Sequence, residues 1–195
     1  MAEPQQKGRI SRLLVRIGAG VGGVLAIVAS TIASVYEVRT RPEIPLIEPG
    51  EAVEAGRWNI RINSATIATQ TPDGLQLRDG KSALVVDIDL ENRTGTTSSV
   101  YYQALELTEP PAGADPQPLF FLKRDRAFLN GLNPRMPEAV QVVWRLSPDA
   151  VRPRNIELRI AAESFKPKDN LYAAPGWFNP HTVGRVLLPV RDEAE

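Results

Sequence analysis

The chain of 195 residues contains no cysteine. This absence excludes disulfide bonds, thiol nucleophiles and cysteine-based metal sites. Histidine is almost as scarce, because His181 is the single one, and no spacing links it to the nearest hydroxyls, those of Ser147 and Ser164. A lone histidine without partners makes a poor base or ligand. The sequence therefore predicts no catalytic site, no cofactor and no metal site, and the protein is not expected to be an enzyme.

An excess of charge of either sign is also missing, since 23 basic residues balance 23 acidic ones. Four of the basic residues and one acidic residue precede Ile17, which leaves 19 basic against 22 acidic residues in the remainder, a net charge of −3. Nucleic-acid binding generally requires a basic surface. We therefore expect no nucleic-acid partner.

In the segment "RIGAGVGGVLAIVAS", Gly18, Gly20 and Gly23 stand at the spacing of a dinucleotide-binding turn. Such a turn is followed by an amphipathic helix that packs one face on a sheet and exposes the other to water. Residues 17–35 carry no charge at all. The glycines therefore do not predict a cofactor site.

The same uncharged run is long enough to cross a membrane. Nineteen residues in a helix span about 28 Å, close to the roughly 30 Å hydrocarbon core of a bilayer. The sequence predicts a transmembrane helix over residues 17–36, preceded by a basic tail, residues 1–16, that stays in the cytoplasm. The expected protein is single-pass in the inner (cytoplasmic) membrane, with a periplasmic or extracellular carboxyl-terminal domain. The alternative is a signal peptide cleaved near Thr31-Ile32-Ala33, although the apolar core of such peptides is usually about 7–15 residues.

Small residues recur at every fourth position of the predicted helix. They are Gly18, Gly22, Ala26, Ser30 and Ser34. Helices in lipid associate by close approach across small side chains, so this stripe predicts a helix-packing face. The expected partner is another membrane or envelope protein, and a homo-oligomer is also allowed. The alternative is an anchor that is simply rich in glycine and alanine.

Proline marks the segment between the predicted helix and the domain. Pro42, Pro45 and Pro49 disfavour a helix there and favour an extended chain. We predict a stalk over residues 37–50, which either holds the domain off the membrane or lies against it.

Residues 51–190 alternate apolar and polar side chains with a period of two, and a short tail, residues 191–195, follows. The clearest inward-facing sets are Trp58, Ile60 and Ile62; Leu84, Val86, Ile88 and Leu90; and Ile156, Leu158 and Ile160. Further strand candidates are 100–108, 119–122, 139–146 and 183–190. Seven or more short strands without a long amphipathic helix predict an all-β, immunoglobulin-like antiparallel β-sandwich.

Four segments carry a resemblance to a known family: "GRWNIRINSA", "ALVVDIDLENRT", "LNPRMPEAVQVVWRL" and "GRVLLPV". Together they resemble the membrane-anchored, telokin-like immunoglobulin-fold domains of bacterial cell envelopes. The resemblance covers residues 51–190 and consists of strand patterning and turns. It implies a binding or scaffolding module that has no shared catalytic residues.

An acidic row, Asp87, Asp89 and Glu91, resembles the start of a calcium loop, but Asn92 stands where such a loop needs glycine. We expect these carboxylates to lie on the outer face of a strand, opposite Arg61, Arg145 or Arg159 of neighbouring strands. The sequence Asn92-Arg93-Thr94 fits either a glycosylation acceptor or a turn after the strand.

Large apolar side chains occur in "APGWFNPHTVG", where Trp177, Phe178 and His181 form a candidate partner or ligand loop. Two functions from different classes remain. One is an accessory or assembly subunit of a cell-envelope complex, a membrane-anchored interaction module. The other is a module that binds an envelope ligand or glycan through the aromatic loop.

Overall fold

A computed structural model describes residues 43–171 and 173–192. The predicted cytoplasmic tail, the predicted transmembrane helix with its small-residue face, and the last three residues lie outside the described residues. Within these described ranges no helix is long and apolar enough to cross a membrane. From Ile44 onward the described chain forms one compact unit.

Ten strands and one short 3₁₀ helix, Val100–Gln103, make up this unit. The strands are β1 Leu46–Ile47, β2 Ala52–Ala55, β3 Trp58–Ala68, β4 Ser82–Asn92, β5 Leu105–Leu107, β6 Leu119–Leu122, β7 Ala127–Phe128, β8 Glu138–Leu146, β9 Asn155–Lys166 and β10 Gly176–Asp192.

The strands form a β-sandwich of two layers joined by β10. One layer has the order β5-β9-β10-β1, and the other has the order β3-β4-β8-β6-β7, with β2 also paired to β3. The 17-residue β10 pairs with β9 and β1 in the first layer, and its last residues, 190–192, pair with β3 in the second. The β10 strand therefore closes one side of the sandwich, while β5 and β6–β7 lie at the other side.

Two pairings correct the expectation of a fully antiparallel sandwich. Strand β10 is parallel to β3, and β1 is parallel to β10, with Leu46 opposite Arg185. The β1 pairing involves the predicted stalk of residues 37–50, because Leu46 and Ile47 belong to that segment. The carbonyl of Pro45 accepts a 2.9 Å hydrogen bond from the Arg185 amide, and Ile47 packs against the core. The sheet edge therefore takes up the end of the proline-rich segment.

The alternation predicted for the core is confirmed. All the residues of the three inward-facing sets, including Trp58 at 2% exposure, are buried in one cluster between the layers. Val85 lies between the inward-facing Leu84 and Val86, so the alternation predicts that it faces water, yet it is buried in a second cluster with Phe121 and Val143 on the opposite face of the sheet. An alternation with a period of two shows which face of the strand a residue lies on. Whether that face is buried depends on the other segments that pack against it.

The predicted strand over residues 100–108 is only partly correct. Residues 100–103 form the 3₁₀ helix, and the strand is limited to Leu105–Leu107. The helix turns the Tyr101 ring into the core, where it lies 6.3 Å from the Trp58 ring and 5.0 Å from the Phe120 ring, measured between centroids. Burial of this aromatic side chain accounts for the departure from an extended chain.

Candidate functional site

The predicted aromatic loop is part of a β-hairpin. Trp177, Phe178 and His181 all lie in β10, where they pair with Phe165, Ser164 and Ala162 of β9. The register shifts between Phe178 and His181, so Pro180 sits at a bulge, a position in which a sheet tolerates proline. This bulge is why a segment rich in proline and glycine nevertheless remains in the ladder.

The Trp177 and Phe178 side chains are half-buried, and each lies beside a cation. The Trp177 ring is 5.4 Å from the Phe165 ring, and the Arg57 guanidinium lies 5.3 Å from the centre of the Trp177 ring. The Lys166 ammonium lies 5.5 Å from the Phe178 ring. Each geometry fits a cation–π contact. Aromatic rings and cations thus lie together at this end of the hairpin, although the Arg57 guanidinium, from the β2–β3 turn, is also paired with the Glu163 carboxylate at 2.7 Å.

His181 is exposed, and its Nδ1 lies 2.8 Å from the carbonyl oxygen of Asn179. The structure therefore places the histidine on the solvent side of the bulge, with a local backbone partner. Trp177 lies beside Arg57 and Phe178 beside Lys166, so the described contacts of the three residues are separate.

A cleft of about 720 Å³ lies at the side of the sandwich opposite β10, between β5 and β6–β7. We call it the aromatic cleft. Its lining includes Tyr101, Tyr102, Pro116, Pro118, Phe120 and Phe128. Two of these rings remain well exposed at its rim, Tyr102 at 55% and Phe128 at 53%. The cleft is therefore a concave surface open to solvent, in which aromatic and proline side chains lie together with the polar side chains of Glu106 and Gln117.

The buried Tyr101 side chain forms part of the wall of the aromatic cleft. Its hydroxyl donates a hydrogen bond to the carbonyl of Leu129, and burial raises the pKa of the phenol. The side chain is neutral at physiological pH, which keeps this wall of the cleft uncharged.

Sequence reasoning missed the aromatic cleft because it assigned residues 100–108 to a strand. The signal that could have located it is the Tyr101-Tyr102 pair, followed within ten residues by a proline-rich segment. Proline-rich loops cannot complete a ladder, so they tend to line a surface. Their position beside β6, however, is set by tertiary contacts.

The acidic row faces outward from β4, as predicted, and its members have separate partners. The Asp89 carboxylate lies 3.7 Å from the Arg61 guanidinium, and Asp87 accepts hydrogen bonds from Lys123 at 2.9 Å and Gln141 at 3.2 Å. Among the residues that the structure describes, no cluster of three or more potential ligands could hold a metal ion.

The other two arginines expected opposite the acidic row have different partners. Arg145 lies 2.7 Å from Asp115, and Arg159 lies 3.8 Å from Glu157. Strand β9 belongs to the other layer, which is why Arg159 cannot face β4.

Asn92 is fully buried at the end of β4 and organises a turn. Its amide nitrogen donates 2.8 Å hydrogen bonds to the carbonyls of Thr96 and Leu132, and its oxygen accepts from the backbone and hydroxyl of Thr94. The amide is thus engaged within the fold, which supports the turn interpretation over a glycosylation acceptor.

The two layers and their shared core define the described domain as a β-sandwich. No known protein-family model matches the chain. No curated protein matches it either. Among solved structures, the chain is similar to the crystal structure of an uncharacterized β-sandwich protein from Clostridium difficile 630, at 10% identity and a TM-score of 0.43, over 77% of this chain and 97% of that one.

Proposed function

We propose that this protein is a membrane-anchored interaction module of the bacterial cell envelope, an accessory or assembly subunit. Residues 17–36 anchor it in the inner membrane, the basic tail remains in the cytoplasm, and an immunoglobulin-like sandwich is displayed outside. The uncharged run and its basic flank support the anchor. The resemblance to telokin-like envelope domains supports a role in binding.

The observation that carries the proposal is the aromatic cleft. Exposed aromatic side chains contribute strongly to binding when a partner covers them, and Tyr102 and Phe128 form such a pair at the rim. Strand β5 borders the cleft and is paired within the sandwich to β9 at the edge of its layer. An edge strand offers backbone groups to an incoming extended peptide. The proposed occupant is an extended apolar segment of another envelope protein.

The test of the cleft is affinity purification of the full chain from detergent-solubilised membranes, followed by identification of the proteins that co-elute. The double variant Tyr102→Ala, Phe128→Ala should lose a specific partner that the wild type retains. The matched control is Val151→Ala, which removes a side chain that is 74% exposed but does not line the cleft. Equal recovery of all partners by the cleft variant and the control would contradict the proposal.

The test of the anchor is carbonate extraction combined with protease accessibility on spheroplasts. The chain should stay with the membrane while its carboxyl-terminal domain is digested from outside. Complete release into the soluble fraction would contradict an uncleaved anchor.

The proposed packing face of the anchor is tested by Gly22→Ile. Isoleucine is at least as favourable in lipid, so insertion should be retained, while the bulky side chain should reduce crosslinking to the partner helix. Unchanged crosslinking would show that the small residues serve no packing role.

A further inference from the structure

Strand β5 is the outermost strand of its layer, and among the described residues it pairs only with β9. The hydrogen bonds of this antiparallel pairing fix the direction of the β5 backbone groups. The Thr108 amide donates a 3.0 Å bond to the Glu157 carbonyl. In an antiparallel ladder, residues that bond to the neighbouring strand alternate with residues that do not. The amide and carbonyl groups of Leu105 and Leu107 therefore point away from β9, toward the open edge of the layer.

The open edge of β5 forms one side of the aromatic cleft, because all the residues of β5 line it. Leu105 and Leu107 are buried and belong to the core cluster, while Glu106 is exposed on the other face of the strand. A strand added at this edge continues the pleat of the sheet. Its residues beside the two leucines would point inward, toward the rings of the cleft, and its residue beside Glu106 would point outward.

Glu106 gives this edge a negative charge. Of the described residues that line the cleft, it alone is charged at neutral pH. Arg159 lies opposite it on β9 but is paired with Glu157 at 3.8 Å, and no ion pair between described residues includes Glu106. In an added antiparallel strand, the residue beside Glu106 belongs to a pair without hydrogen bonds, in which the side chains are closest. A basic side chain is the complement to the carboxylate at that position.

We infer that the aromatic cleft takes its partner by strand addition, and that the partner is a protein segment in which apolar and basic residues alternate. The segment pairs antiparallel with β5 through the backbone of Leu105 and Leu107. It places its apolar side chains in the cleft and a basic side chain beside Glu106. Antiparallel pairing is the slightly more stable kind, and strand addition gains affinity from main-chain bonds and specificity from alternate side chains. This inference rests on the proposed function, because it specifies the segment that occupies the cleft.

Methylation of peptide nitrogens tests the backbone pairing, because a methylated nitrogen has lost its N–H donor. The probe is a fluorescein-labelled octapeptide in which valine and lysine alternate, and its binding to the full chain in detergent is followed by fluorescence anisotropy. When the valines point into the cleft of an antiparallel pair, the valine amides face β5 and the lysine amides face away. Methylation of the valine nitrogens should lower the affinity at least about tenfold, and methylation of the lysine nitrogens should change it by less than about twofold.

Charge reversal tests the recognition of the basic side chain. Glu106→Lys should lower the affinity for the valine–lysine peptide about threefold or more and raise the affinity for a valine–glutamate peptide of the same length. The matched control is Glu109→Lys, which makes the same change of charge at an exposed residue that does not line the cleft, and it should keep the wild-type preference. The emission of the buried Trp58 and Trp144 shows that each variant is folded.

The cleft variant Tyr102→Ala, Phe128→Ala separates this inference from the proposed function. Peptide binding that this variant loses, but that is equal for the two methylated peptides, keeps the cleft as the interaction site and overturns strand addition alone. Absence of binding by the unmethylated peptide also overturns strand addition, and the co-elution experiment then decides the proposed function by itself. Equal recovery of all partners in the co-elution experiment overturns the proposed function and this inference together.

Discussion

At the scale of single residues, Asn92 joins the end of β4 to the turn that follows it through hydrogen bonds at both amide atoms. Asn92→Ala removes four hydrogen bonds from a fully buried site, so we expect a loss of about 2–4 kcal/mol in the free energy of unfolding, although the Leu132 carbonyl keeps its bond from the Ser98 amide. Urea unfolding followed by tryptophan fluorescence measures it. Asn63→Ala is the control, because that exposed amide has only a 3.2 Å contact with Asp89, and equal losses in both variants would contradict the prediction.

Because of Tyr101, we expect the free energy of unfolding to depend on pH in the alkaline range. Its pKa in the folded state is raised above the ordinary value of 10.0 by burial, so the neutral phenol favours folding. This contribution is fully present below about pH 10 and is lost as pH rises through the folded-state pKa, since the unfolded chain releases the proton first.

Tyr101→Phe removes both the titration and the hydrogen bond to Leu129. We expect the variant to be less stable than the wild type by about 1–3 kcal/mol at pH 7, because a buried carbonyl loses its donor. The difference in unfolding free energy between the wild type and the variant should become smaller above pH 10. Unfolding curves at pH 7 and at several values above 10 check this, and a gap that stays constant would show that the buried phenol does not couple to folding.

At the scale of elements, the β2–β3 turn packs directly on β9. Gly56 has a φ of 67°, and a Cβ there would lie 2.1 Å from the Glu163 carbonyl oxygen. Gly56→Ala therefore adds a backbone clash to the strain of the left-handed conformation, and we expect it to cost more than about 2 kcal/mol.

Gly50 provides the comparison, since its φ is 86° but a Cβ there would meet nothing within 4 Å. Gly50→Ala should cost only about 1 kcal/mol, the strain alone. A comparison of the unfolding midpoints of the two variants separates the effect of the clash with β9 from the effect of the backbone strain. Equal midpoints would mean that the turn moves away from β9 without penalty.

Strand prediction from the sequence was most accurate where side chains alternate between core and solvent. The bounds of β6 agree with the predicted 119–122, and β8 begins one residue before the predicted 139–146. The predicted strand was wrong at residues 100–103, and the sequence pattern predicted no strand at β1. In both places contacts with distant strands, and not the local pattern, determine the conformation.

At the scale of the whole molecule, the described unit begins at Ile44, so a fragment of residues 43–195 should fold without the anchor. We expect a β-rich circular dichroism spectrum and a cooperative thermal transition, because the two layers bury a common core. A dominant helical spectrum would contradict this prediction.

A second fragment, residues 51–195, starts at the boundary that the sequence suggested and lacks β1. It should still fold, but its free energy of unfolding should be lower by about 2 kcal/mol, and its thermal midpoint should fall accordingly. The reason is that the core loses the contact with Ile47 and β10 loses its edge partner. Identical transitions for the two fragments would place β1 outside the stable unit.

The sequence by itself determined the strand-rich class, the core faces of β3, β4 and β9, and the outward direction of the acidic row. Each follows from a period of two, which is a local property of the chain. It also located the aromatic residues Trp177 and Phe178 as notable, although it assigned them to a loop.

Only the tertiary structure decided that these aromatics lie in a β-hairpin, that β10 joins both layers, and that the aromatic cleft forms between β5 and β6–β7. These features depend on residues far apart in the chain, such as Leu46 with Arg185 and Tyr101 with Leu129. A local pattern shows which side of a strand is apolar. Which segment packs on that side depends on the packing of the whole domain, including segments that are distant in the chain.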